Sequence, residues 1–70
     1  MNKELIPKIA SDLLTMAVIL NSTRLLKRKQ KNTYDIKGLS EENYKKLTGY
    51  LIGKGFAVIK TEDKIMVEKL

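Results

Sequence analysis

An α+β domain with a long N-terminal helix, a second helix and a C-terminal β-hairpin is the fold class that this sequence predicts, on three observations. Apolar residues recur three and four apart through the first part of the chain; Ser40 marks a helix start that the same spacing follows; and two short alternating apolar runs close the chain around a polar turn. Seventy residues allow one domain, 1–70, whose core removes only about 60% of the unfolded surface from water. With no cysteine, neither a disulfide nor a thiolate metal site can reinforce it, so a partner or self-association is the expected source of extra stability.

Pro7 suits the first turn of a helix, where its missing N–H has no intrahelical partner, so the first helix is expected to begin near residues 3–6. Ile6, Ile9, Leu13, Met16, Ala17 and Leu20 define its core face, with Leu14, Val18 and Ile19 falling off that face. A helix apolar nearly all round needs cover on more than one side. Homodimerisation through this helix follows; the alternative is that the second helix and the hairpin wrap it within one subunit. Asn21-Ser22-Thr23 either caps another helix or is the polar face of one helix running to about Lys29, and the Leu-, Lys- and Arg-rich sequence beyond favours continuity. Residues 30–38 read as a connection, with Thr33-Tyr34-Asp35-Ile36 a short strand or one helical turn and Lys37-Gly38 a turn.

Ser40 can accept a backbone N–H from the open first turn of the second helix, and Glu41 and Glu42 lie where the helix dipole favours negative charge. Leu39 can staple onto Tyr44, and Tyr44, Leu47, Thr48 and Leu51 continue at helical spacing. Gly55 offers the left-handed conformation that stops the helix. Glu42, Lys45, Lys46, Gly49 and Gly53 fall on its exposed face, where the two glycines bare the backbone to a phosphate strand or a neighbouring helix, or fray the helix end. The hairpin follows: Phe56 and Val58 alternate with Ala57 and Ile59, Ile65 and Val67 with Met66 and Glu68, around Thr61-Glu62-Asp63.

Leu39-Ser40 at the helix start, Leu51-Ile52-Gly53-Lys54-Gly55-Phe56 at its end and the hairpin beyond resemble the back half of a winged helix-turn-helix domain, with Ile36 as the apolar anchor before the helix. The resemblance covers roughly the C-terminal half of the chain and implies a winged-helix-like fold that binds double-stranded DNA. Residues 41–54 would enter the major groove, and the hairpin turn flanked by Lys60 and Lys64 would be the wing. Asn43 and Lys46, with Lys45 beside them, would contact bases or phosphates.

The net charge of +6 is concentrated: Arg24, Lys27, Arg28, Lys29 and Lys31 hold five of the excess positive charges, and residues 1–23 and 32–49 are each neutral. Such a block suits a polyanion, nucleic acid first and an anionic membrane surface second, or it is a solvated helix end whose cations complement the dipole. Against duplex DNA these five residues would supply the phosphate contacts. The chain also lacks histidine, its carboxylates are scattered and no glycine-rich phosphate loop follows a strand, so neither an enzyme, a metal nor a cofactor is expected. Residues 13–20 are too short to span a bilayer and stand in a poor context for signal cleavage, so a cytoplasmic location is expected. The sequence thus points to a small dimeric DNA-binding regulator of transcription, with a protein-interaction module, an inhibitor or assembly factor on the same scaffold, as the alternative.

Overall fold

The computed structural model describes the backbone of residues 5–70 and the side chains from residue 12 onward. The element order is α1 (Leu5–Thr23), β1 (Lys31–Asp35), α2 (Glu41–Gly53), β2 (Phe56–Thr61) and β3 (Lys64–Lys69). The three strands form one antiparallel sheet in the order β1-β3-β2, so β3 is central. The fold is therefore α+β, and the Thr33 segment resolves as a strand that the hairpin alone did not require.

α1 stops at Thr23 instead of continuing to Lys29, and the polar triplet stops it. The Thr23 hydroxyl, fully buried, donates to the Leu20 carbonyl at 3.0 Å, and Ser22 Oγ lies 2.9 Å from the Tyr34 hydroxyl on β1. Each of these bonds supplies a helix-end carbonyl or hydroxyl with a partner outside the regular ladder. Tight turns follow, with Leu25 N–H donating to Ser22 O and Leu26 N–H to Thr23 O, and they drop Leu26 into the core.

The face that α1 buries also differs from the one its spacing suggested. Ile19 is buried and Met16 and Leu20 pack beside it, whereas Leu13, Leu14, Ala17 and Val18 are exposed. The rotation has a polar cause. Asp12 accepts from Ser40 N–H at 3.3 Å and from Asn43 Nδ2 at 2.7 Å, which places a carboxylate at the N-terminus of α2 and turns the 12, 16, 19, 23 stripe inward. Ile6, Ile9 and Pro7 lie outside the described side chains, and the expected start near residues 3–6 falls partly outside the described backbone.

Ser40 caps α2 as its sequence suggests, its Oγ accepting from Asn43 N–H at 3.2 Å. Leu39 and Tyr44, on either side of the cap, are half-buried against the core. Leu47 and Leu51, completely buried, face Ile65 and Val67 of the central strand, and Ile19, Leu26, Ile36 and Phe56 close the cluster. Burying each of these large apolar side chains contributes roughly 1.5–3 kcal/mol. Gly55, at φ +93°, ends α2, and Gly38, at φ +89°, makes the turn before it.

Replacing Asp12 by Ala removes both acceptors at the α2 N-terminus and leaves the half-buried Asn43 amide without its partner. A loss of about 1–2 kcal/mol is expected in urea unfolding, with little further loss when Asn43 is also replaced.

Candidate functional site

The sheet holds two ends of the molecule apart. β3 advances five residues at about 3.4 Å each, so Lys64 and Lys69 stand about 17 Å from one another. At the Lys69 end, Lys29 N–H donates to Lys69 O at 2.8 Å, Lys69 N–H donates to Gln30 O at 3.0 Å, and Leu70 N–H donates to Gly55 O at 3.1 Å. These bonds gather the connection between α1 and β1, the C-terminus of α2 and the end of β3. At the Lys64 end, Ile36 N–H donates to Asp63 O at 2.7 Å, and the hairpin turn meets the start of α2 across a cleft of about 460 Å³.

Arg24, Lys27, Arg28, Lys29 and Lys31 are all exposed at the first end, and Lys54 and Lys69 join them there. Among the described residues none of the seven has a carboxylate within ion-pair distance. Lys31 is the most compensated, because it stands opposite Glu68 in the β1–β3 register. The connection that presents them is tightly held. Leu26 anchors it in the core, Gln30 N–H donates to Lys27 O at 2.9 Å, and the Gln30 side chain accepts from Lys27 N–H at 3.0 Å.

The other expected contacts are distributed differently. Lys60 and Lys64 lie at the far end beside Glu41, Glu62 and Asp63; Lys60 Nζ sits 5.8 Å from the Tyr44 ring centroid, and Lys64 is opposite Asp35 in the sheet. Lys45 and Lys46 are exposed on α2, with Lys46 Nζ 3.7 Å from Glu42 Oε2, a surface pair worth only a few tenths of a kcal/mol. Asn43 is half-buried and its amide is bonded to Asp12, so it holds α1 and α2 together rather than standing free for a base edge. Lys54 and Lys69 were missed because each reads locally as the end of an element. Their meeting depends on long-range pairing: Phe56, two residues after Lys54, stands opposite Lys69 in the β2–β3 register, and β1 brings residues 29–30 to the same end of β3.

Lys29 adopts φ +69° at the third position of the 27–30 turn, a left-handed conformation that favours glycine. No protein-family model matches this chain, and neither a curated protein nor a solved structure is similar to it at a significant level. Among the described residues no helix is long and apolar enough to cross a membrane.

Replacing Lys29 by Gly relieves the left-handed strain and is expected to raise stability by about 0.5–1 kcal/mol in urea unfolding, even though a native residue is removed.

Proposed function

We propose that this chain is a small dimeric nucleic-acid-binding protein that grips duplex DNA through its basic end, in the manner of a transcriptional regulator. The observation that carries the reading is the convergence of Arg24, Lys27, Arg28, Lys29, Lys54 and Lys69, from three separate parts of the sequence, on one surface without counter-ions among the described residues. Concentrated positive charge of this kind binds phosphates by releasing condensed cations. A capped helix feeding a hairpin, and the residue pattern at both ends of α2, support a winged-helix-like scaffold.

The docking differs from the one that family resemblance implies. Glu41 and Glu42 at the start of α2, and Glu62 and Asp63 in the hairpin turn, put carboxylates on the end where the family's helix start and wing meet DNA. The C-terminal half of α2, with Lys54 and the open Gly49 and Gly53 positions, borders the basic end instead; a Cβ on either glycine would meet nothing within 4 Å. Exposed Leu13, Leu14 and Val18 give α1 an apolar side that, among the described residues, carries no charge, so a second copy can lie against it although the chain as a whole is strongly positive.

Affinity for a mixed duplex pool is expected to fall steeply with salt, and Arg28→Ala with Lys29→Ala should reduce the slope of log K against log salt by nearly 2. Binding insensitive to salt, or none, would overturn the reading. Val18→Lys is expected to halve the mass measured by light scattering. A monomeric parent chain would remove the dimer from the proposal and leave the basic end in place. The protein-interaction alternative rests on Ile52, 61% exposed on the same helix as Gly49 and Gly53; Ile52→Glu leaving duplex affinity unchanged separates that surface from DNA binding.

A further inference from the structure

At the basic end the termini of α1, α2 and β3 enclose a shallow depression of about 250 Å³, lined by Arg24, Lys54 and Lys69 together with the rings of Tyr50 and Phe56. Three cations from three elements share it, and no carboxylate lines it. The C-terminal dipoles of α1 and α2 account for a cation at Arg24 and at Lys54, but Lys69 lies on a strand and has no such reason to be there. The lysines are also held in place. Lys54 Nζ lies 5.5 Å from the Tyr50 ring centroid and Lys69 Nζ 5.3 Å from that of Phe56, so cation–π attraction restrains both long side chains over the depression.

Restraint of this kind lowers the entropy lost when a ligand binds. A tetrahedral oxyanion occupies the space of a few waters, at about 30 Å³ each, so the depression has room for a phosphoryl group and part of what it is attached to. The Tyr50 ring, 48% exposed at the rim, offers a flat apolar surface to the attached sugar or base.

We propose that this depression is a phosphoryl site for one nucleotide unit, with the Arg24 fork and the Lys54 and Lys69 ammoniums on the phosphate oxygens and Tyr50 against the attached nucleoside. The inference deepens the nucleic-acid reading and rests on it only for where the phosphate comes from, a strand's backbone or a free nucleotide.

The test is an amide chemical-shift titration of the full chain with inorganic phosphate, adenosine monophosphate, adenosine and a ten-residue oligothymidylate strand. Phosphate and adenosine monophosphate are expected to move the amides of Arg24, Lys54, Gly55 and Lys69 saturably, with smaller changes at Lys27, Arg28 and Lys29, and adenosine to move none of them. Lys54→Gln and, independently, Lys69→Gln should each weaken phosphate about three- to tenfold, while Lys37→Gln, at the far end, leaves it unchanged. Equal shifts at every exposed lysine, or adenosine acting as well as its monophosphate, would overturn the site. A strand that displaces phosphate from the same amides identifies the backbone as the source; a monophosphate that binds where the strand does not identifies a free nucleotide. Loss of duplex binding with these shifts intact sinks the DNA reading alone, and intact duplex binding without them sinks the site alone.

Discussion

The pairing of β1 with β3 is the constraint on which the arrangement of this molecule depends. A hairpin of two strands is marginal in water, and β1 converts it into a three-stranded sheet with β3 bonded on both edges. Because the pairing is antiparallel and begins at Lys31 opposite Glu68, the connection leaving α1 must pass the end of β3. Lys29 and Gln30 exchange backbone hydrogen bonds with Lys69 there. A one-residue slip would turn Tyr34 away from Ser22 and from the core face it shares with Ile65. The position of the basic connection is thus fixed by strand register at its far side and by buried Leu26 beside the end of α1.

Local signals were the readable part of this fold. Ser40, Gly55 and the alternation of Phe56, Val58, Ile65 and Val67 each state their structure within a few residues, because capping, left-handed backbone and strand pleat are short-range effects. The end of α1 and its buried face were not readable in the same way. Both depend on partners far along the chain: Tyr34 for Ser22, and Ser40 and Asn43 for Asp12. The helical propensity of residues 24–29 is real but weak, and the burial of Leu26 overrides it. The five-residue basic block was visible from composition alone; that Lys54 and Lys69 belong with it, and that Lys60 and Lys64 do not, required the sheet.

The core is small, and its margins are polar. Leu47, Leu51, Ile65 and Val67 are sealed from water, but α1 reaches α2 through Asp12 and reaches β1 through Ser22, bonds whose net worth is about 1 kcal/mol each. Such contacts specify the angle and rotation of α1 more than they stabilise the whole. Its outward side then carries Leu13, Leu14 and Val18 by default, because the polar contacts have claimed the opposite stripe.

The two ends of the sheet have a consequence for how the molecule moves before it touches anything. With Arg24, Lys27, Arg28, Lys29, Lys54 and Lys69 massed at one end, and Asp35, Glu41, Glu42, Glu62 and Asp63 toward the other offset by Lys37, Lys46, Lys60 and Lys64, the excess charge sits off-centre and the chain carries an electric dipole as well as a net charge. In the field of a polyanion it experiences a torque within about a Debye length, roughly 8–10 Å at ordinary salt. Encounters are thereby sorted by orientation during diffusion, and a larger fraction arrive with the cationic tip leading.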